Sequence, residues 1–195
     1  MANSVWQRVI SDGSDRDQWL QARAGGVTAT DVAKLSSLKS IPSVAKQKLS
    51  PLQFTGNSFT AYGRQREPLI ADWVQTHFGI NPSNALFCAA ENRFHLATPD
   101  GIAEASDGSL VLAEIKTTNK VWSTVPRNYM RQIFWQQYVL GADRTLLVWE
   151  QHQDFVPTAA PQYKWIERDE EQIEQLVFLA DKLVETLREM TQGRR

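Results

Sequence analysis

The sequence predicts an α/β fold in which helices flank a central mixed β-sheet. Helical periodicity and short strand-like runs follow one another in the order helix, strands, helix, strand, helix. The run 110–113 is apolar at every position, which is typical of a strand buried on both faces. At 169–192, apolar residues recur at i, i+3 and i+4, which predicts a long C-terminal helix. We expect residues 1–195 to form a single domain around one core.

The N-terminal part should contain two short helices and a long connection. Asp15 can cap a helix that runs through Arg23 and ends at a Gly-Gly pair, and a second helix is expected after Thr28 or Thr30. The segment 36–56 contains two prolines and five serines and shows no sustained period. We expect a flexible loop or loosely helical flap there, and its length is more typical of a functional loop than of a connector.

The remaining elements follow in order. Helical spacing at 69–78 stops at Gly79, which can close a helix in the left-handed conformation. Strands are expected between 86 and 115, a helix at about 129–140, and a further strand at 145–149.

Acidic and basic side chains stand near the end of the predicted central strand. Asp100 follows a Thr-Pro pair, and Glu114 and Lys116 are two positions apart, so both point to the same face of a strand. Mg²⁺ prefers carboxylate oxygens, and a site with few protein ligands leaves room for water and a substrate phosphate. The three residues therefore predict metal-assisted cleavage of a phosphodiester, in which Lys116 either orients the attacking water or accepts its proton.

The alternative interpretation is a surface hairpin with solvated charges, which the Glu-x-Lys triplet alone would favour. The position of the triplet after an apolar run favours a metal or catalytic site instead. Charged side chains at the end of a buried strand cost free energy unless they are paired or bound to a metal. The pairing register provides a test. A three-residue loop with Gly108 left-handed would place Asp100 opposite Glu114, whereas a two-residue turn would send Asp100 to the other face. We predict the three-residue loop, or a bulge of equal parity near Pro99.

Five more side chains could take part in the chemistry. Glu67 could complete the metal site, or it could be an ordinary glutamate in the first turn of the next helix. Gln132 and Gln136 are four residues apart and share a helical face, so either amide could orient a water or bind a phosphate oxygen, although a polar helix surface is the commoner interpretation. Arg23, the Gly-Gly turn and the hydroxyl of Thr30 resemble an anion cradle, for which a helix junction with an exposed arginine is the alternative.

Bulk composition excludes some classes of function. The chain has 21 Lys and Arg against 22 Asp and Glu, a net charge of −1, so any DNA contact must come from a local basic surface such as 34–48. The three histidines are too scattered for a zinc cluster, and the single Cys88 excludes an internal disulfide. Neither a signal-peptide pattern nor an apolar run of about 18 residues is present, so we expect a soluble, cytoplasmic protein.

In this order, the motifs resemble the lambda exonuclease or YqaJ-like viral recombinase family, a branch of the PD-(D/E)XK nucleases. Together they extend over most of the chain, and six motifs in a fixed order are more specific than any one. They are 19–23, 25–31, 62–67, 99–101, 114–116 and 129–132. The resemblance implies a restriction-endonuclease-like core. Two positions depart from the family pattern, with Thr30 in place of a serine and Phe134 in place of a second glutamine.

The resemblance implies a metal site and a phosphate site. The metal ligands would be Asp100, Glu114, Glu67 and the backbone carbonyl of Ile115, with Mg²⁺ as the ion and Mn²⁺ as a substitute. The ligands of a 5′-phosphate would be Arg23, Thr30 and Thr98. Lys116 would help to activate water, and Gln132 would support the catalytic end.

The function implied is that of an exonuclease on linear double-stranded DNA. It would degrade one strand from its 5′ end and supply a single-strand annealing protein in phage-type recombination. A homo-oligomer is also implied, such as a trimeric ring, encoded by a phage or prophage and acting in the bacterial cytoplasm. Two rivals stay open: a structure-specific or restriction-type endonuclease of the same fold, and a non-catalytic protein that binds DNA ends.

Overall fold

The computed structural model describes residues 4–50 and 56–192, and within these ranges it contains six α-helices and ten β-strands. The helices are Arg16–Ala24 (α1), Ala29–Val32 (α2), Ile41–Lys48 (α3), Ser58–Phe78 (α4), Arg127–Leu140 (α5) and Glu170–Gln192 (α6). The strands are Val9–Ser11 (β1), Val27–Thr28 (β2), Asn81–Pro82 (β3), Leu86–Cys88 (β4), His95–Ala97 (β5), Gly101–Glu104 (β6), Leu110–Thr118 (β7), Arg144–Gln153 (β8), Val156–Pro157 (β9) and Gln162–Glu167 (β10).

The main sheet is mixed and is flanked by helices, as the sequence predicted. Its strand order is β10-β8-β7-β6-β3, with β9 paired to β8. β7 and β8 run parallel, and β6 pairs with β7 in antiparallel fashion. Side chains of β7 alternate between the two faces, so Ala113 and Ile115 pack in the core beneath α4. Leu112 packs in the opposite core with α5 and α6, and the same face carries Glu114.

A smaller four-stranded sheet, with the order β1-β4-β5-β2, stands beside the main one. The sequence did not predict it as a separate sheet, because its strands have two or three residues and are too short to show a period. The three residues 98–100 connect β5 to β6, so they carry the chain from the small sheet to the main sheet. This link is where the candidate site lies.

The segment 36–56 is more regular than the predicted flexible loop. A 3₁₀ turn at Leu38–Ser40 leads into α3, whose residues Ile41, Val44 and Ala45 are buried. α3 packs against α6, which stabilises it through tertiary contact. Of the two forms predicted, a flexible loop or a loosely helical flap, the described part of the segment is closer to the second. Pro42 is compatible with α3 because proline is favoured in the first helical turn. Residues 51–55 of the predicted loop lie outside the described residues.

The long C-terminal helix is confirmed as α6, within one residue of its predicted start. Its apolar stripe is buried at Ile173, Leu176, Ala180 and Leu183, which makes it a core-packing element. Within the ranges given above, no helix combines the length and apolar character needed to cross a membrane.

Candidate active site

The predicted site residues line one cleft of about 550 Å³ at the junction of the two sheets. α1 and α4 border the cleft, and residues of the link 98–100 and the middle of β7 complete its lining. Its lining includes Arg23, Thr30, Glu67, Thr98, Asp100, Glu114, Ile115, Lys116 and Gln132. The structure thus brings together every residue that the sequence proposed for the metal and phosphate sites.

The register between β6 and β7 has the parity that the sequence predicted. Gly101 pairs with Ala113 and Glu104 with Leu110, and Asp100, just before β6, donates its backbone N–H to the Ala113 carbonyl over 3.1 Å. The connecting loop has three residues, and Gly108 adopts φ +83°. The alternative with a two-residue turn is therefore excluded. Both carboxylates lie at the same place in the cleft.

Glu114 is only 1% exposed, and its carboxylate receives hydrogen bonds from three side chains. Lys116 and Gln132 donate to one oxygen, and Gln136 donates to the other over 2.7 Å. Both glutamines lie on the face of α5 that meets β7, because they are four residues apart. These hydrogen bonds hold the buried carboxylate in one orientation.

Asp100 is held by a hydrogen bond from the backbone N–H of Ile115 over 2.7 Å. Burial raises the pKa of Asp100 well above its usual value, Glu114 and Glu67 raise it further, and Lys116 acts in the opposite direction. The carboxylates therefore repel each other in the absence of a cation. A divalent ion between them would relieve this repulsion.

Glu67 lies in the middle of α4, and the prediction that it begins a helix is wrong. α4 begins at Ser58 with Asn57 as its cap, eleven residues before the start that hydrophobic spacing predicted, and Pro68 is accommodated inside the helix. Glu67 is exposed at the open side of the cleft. Partial desolvation raises the pKa of Glu67, Lys116 lowers it and Glu114 raises it. The Glu67 carboxylate therefore interacts with the same two charged groups as Asp100 does.

Lys116 is an ammonium in this site. Burial opposes its charge, but Glu114 and Asp100 outweigh burial and raise the pKa of Lys116 above its usual value. The ring of Tyr129 lies 5.3 Å from the Lys116 nitrogen and adds a cation–π contact. Of the two roles predicted for Lys116, this geometry favours holding and orienting a water over accepting its proton.

The donor set suits a hard divalent cation. Asp100 and Glu114 offer carboxylate oxygens, which Mg²⁺ and Mn²⁺ favour, and Mg²⁺ requires few protein ligands because it keeps several waters. Within the described ranges, no three His, Cys, Asp or Glu side chains are grouped as a ready-made metal site. Two opposed carboxylates with Glu67 at the cleft mouth therefore fit a cation shared with water and substrate, rather than an all-protein cage.

The predicted phosphate ligands lie in the same cleft. A guanidinium nitrogen of Arg23 is 3.4 Å from the Thr30 hydroxyl. Asp31, the nearby acid, is bonded to Lys48 over 2.8 Å, which leaves Arg23 without a salt bridge within the described residues. The hydroxyl of Thr98 is buried and has no hydrogen-bond partner within the same residues. A cation and an unsatisfied hydroxyl facing one cleft are suited to an anionic oxygen.

Gln132 and Gln136 share one face of α5, as their spacing predicted, and both amides donate to Glu114. Sequence analysis missed two arginines, Arg16 and Arg64, that line the cleft. Their approach depends on how α1 and α4 pack against the sheets, so no local pattern indicated them.

Comparisons with known proteins identify the family and the fold of this chain. The model of the YqaJ-like viral recombinase domain matches residues 18–143. Among curated proteins, none matched the sequence.

Solved structures of similar fold include an alkaline exonuclease, LHK-Exo, from Laribacter hongkongensis. It is 21% identical over 91% of this chain and 95% of that chain, with a TM-score of 0.71. LHK-Exo in complex with dAMP is 22% identical over the same shares, also with a TM-score of 0.71. A phage-related exonuclease from Haemophilus somnus 129PT is 13% identical over 87% and 96% of the two chains, with a TM-score of 0.67. At these identities the likeness shows a shared fold, in agreement with the predicted core.

Proposed function

The chain belongs to the YqaJ-like viral recombinase family, and we propose that it is a Mg²⁺-dependent exonuclease that digests one strand of linear double-stranded DNA from the 5′ end. The observation that carries this proposal is that one cleft contains the Asp100 and Glu114 carboxylates together with Arg23, which forms no salt bridge with a described residue. The two carboxylates could hold the metal ion for hydrolysis, and the arginine could hold the end of the DNA strand. The exonucleases of similar fold support the same class of reaction.

Asp100, Glu114, Glu67 and the backbone carbonyl of Ile115 would hold the cation. When bound, Mg²⁺ supplies Lewis acidity and lowers the pKa of a bound water. The ammonium of Lys116 orients the attacking water, and it lies close enough to Glu114 to be fixed by it. Gln132 and Gln136 keep the Glu114 carboxylate in place through its two oxygens. These fixed groups require little reorganisation during the reaction.

Arg23, Thr30 and Thr98 would bind the phosphate at the end of the digested strand. A terminal phosphate held there keeps the scissile bond near Asp100 and Glu114, because all five residues share one cleft. Such an anchor explains a requirement for DNA ends and a 5′ polarity. An endonuclease would have no need for it.

The family assignment also supports a role in phage-type recombination, in which resection exposes a strand for an annealing protein. We extend the proposal to a homo-oligomer, with a trimer as the expected form, acting in the cytoplasm of a bacterial host. Light scattering should give three times the mass of a single chain. A monomer at micromolar concentration would contradict the trimer without affecting the nuclease proposal.

Digestion of end-labelled linear duplexes with Mg²⁺ tests activity, end requirement and direction together. We expect the label at the 5′ end to be released first and covalently closed circular DNA to stay intact. Cleavage of the circle would support an endonuclease instead. Absence of nucleotide release with either Mg²⁺ or Mn²⁺ would support a non-catalytic protein that binds DNA ends.

Replacement of the central residues tests their assignment. Glu114→Ala and Lys116→Ala should each lower the rate at least about a hundredfold, because each removes a group held at the reacting atoms. Lys182 and Glu185 form a comparable ion pair, 2.8 Å apart, on the exposed surface of α6, so Lys182→Ala and Glu185→Ala are matched controls. Full activity of a folded Glu114→Ala or Lys116→Ala protein would overturn the assignment.

Binding of the metal should also be visible without catalysis. Mg²⁺ should raise the melting temperature of the wild-type protein, because a ligand of the folded state stabilises it. Asp100→Asn should lose this response. An equal response in both proteins would remove Asp100 from the metal site.

A further inference from the structure

α1 presents a stripe of alternating cationic and aromatic residues to the cleft. Arg16, Trp19 and Arg23 are three and four residues apart, so they share one face of the helix. The guanidinium carbons of Arg16 and Arg23 lie 4.7 and 4.3 Å from the centroid of the Trp19 ring. The two cations therefore meet at one indole although a full heptad separates them in sequence.

Trp19 is a fixed support for both arginines. Its indole N–H donates to the backbone carbonyl of Asn84 over 3.1 Å, which sets the orientation of the ring. Arg16, Trp19 and Arg23 all line the cleft that contains Asp100 and Glu114. Cation–π contacts hold a guanidinium plane without using its N–H donors, so those donors stay available to a ligand.

The two arginines repel each other, and the described part of the chain offers neither of them a salt bridge. Asp31 is already bonded to Lys48. Burial lowers the pKa of Arg23, and the neighbouring charge of Arg16 lowers it further, against the effect of Asp31. Two like charges held at one ring are unfavourable unless an anion comes between them.

We propose that Arg16 acts with Arg23 as a second guanidinium for the doubly charged phosphate at the end of the digested strand. This inference rests on the proposed exonuclease function. A terminal phosphomonoester carries close to two negative charges at neutral pH, whereas a phosphodiester carries one. Two guanidinium groups match the larger charge and supply enough N–H donors for three terminal oxygens. Arg16 would thus distinguish a phosphomonoester end from a diester or a hydroxyl.

Three duplexes that differ only at the 5′ end test this inference. They carry a phosphate, a methyl phosphodiester or a hydroxyl. The rate at which each duplex releases its first product is compared in the wild type, Arg16→Ala and Arg144→Ala. Arg144 is the matched control, because it is an exposed arginine 4.4 Å from the Trp165 ring and does not line the cleft. In Arg16→Ala, the ratio of the rate on the phosphate end to the rate on the methyl diester end should fall about tenfold. A change of this size is the effect of a lost charge-assisted hydrogen bond. On the hydroxyl end, which offers Arg16 no terminal phosphate, the rate should fall by less than on the phosphate end.

Fluorescence anisotropy of the same duplexes in EDTA separates this inference from the proposed function. Wild type should bind the phosphate end about tenfold more tightly than the methyl diester, and Arg16→Ala should not. This pattern in a protein without nuclease activity would preserve the site and overturn only the proposed reaction. Equal slowing of all three ends by Arg16→Ala, or an unchanged preference, would show that Arg16 only packs on Trp19.

Discussion

Two adjacent glutamines show how closely a single residue can be tied to the site. Gln136 and Gln137 are both fully buried in α5. Gln136 donates to Glu114, whereas Gln137 donates to the Thr145 hydroxyl and the Ile166 carbonyl on the other side of the helix. The first therefore supports the cleft and the second supports the core.

Replacement of these residues should separate stability from catalysis. Gln136→Ala and Gln137→Ala should each lower the free energy of unfolding by about 1–3 kcal/mol, because each leaves buried partners unsatisfied. Only Gln136→Ala should also slow digestion and raise the Mg²⁺ concentration needed for half-maximal rate. Urea unfolding and Mg²⁺ titrations of activity measure the two effects. Equal activity of the two variants would mean that Gln136 is purely structural.

At the scale of elements, β5 is fastened to two helices through His95. The imidazole is fully buried, with one nitrogen 3.1 Å from the Tyr138 hydroxyl on α5 and the other 3.2 Å from Asp181 on α6. Asn92 also contacts that second nitrogen. Because residues 98–100 follow β5 directly, this anchor helps to position Asp100.

The pH dependence of stability should report on His95. Burial lowers the pKa of His95 below its ordinary value of 6.5, although Asp181 raises it. The neutral ring therefore stabilises the fold above pH 6.5, and that stabilisation is lost as the pH falls through the lower pKa of the folded state. His95→Gln should be less stable than wild type at pH 7.5, and the gap should narrow towards pH 5.

Urea unfolding at pH 7.5, 6 and 5 measures this gap. His77→Gln is the control, since His77 is exposed on α4 and lies outside the β5 anchor. A gap of constant size across this range would show that His95 contributes through packing alone.

The sequence predicted the centre of the site better than its surroundings. That Asp100 and Glu114 share a face of the sheet was predictable, because strand side chains alternate with a period of two and loop length alone decides which face Asp100 takes. The place of Glu67 in the middle of a helix was not predictable, since Pro68 interrupts the helical pattern and Asn57 lies well before the apolar residues. α3 and the short strands of the small sheet depend on tertiary contacts that local patterns do not contain.

For the whole molecule, charge is balanced overall and unbalanced in the cleft. The net charge is −1, yet Arg16, Arg23 and Arg64 line the cleft and take part in no salt bridge within the described ranges. Lys48, in the basic stretch that the sequence indicated, is already paired with Asp31. DNA affinity should therefore depend on a few phosphate contacts at one place.

The salt dependence of DNA binding should be shallow. Three phosphate contacts predict a slope of about −2.7 for log K against log salt concentration. Arg64→Ala should reduce that slope by about 0.9, and Arg144→Ala should leave it unchanged. Anisotropy measurements between 50 and 300 mM salt in EDTA give the slopes. A steep slope in wild type would place the main DNA contact elsewhere, as on a ring of several subunits.

The link at 98–100 has a consequence for the size of the product. The residues proposed to bind the terminus come from α1, from α2 and from the link after β5, whereas Glu114 belongs to the main sheet. Under the proposed function, the distance between grip and hydrolysis is set by how the two sheets abut, and the link spans that boundary. The packing of the two sheets would then set the length of the released fragment, which would be the same whatever the base sequence.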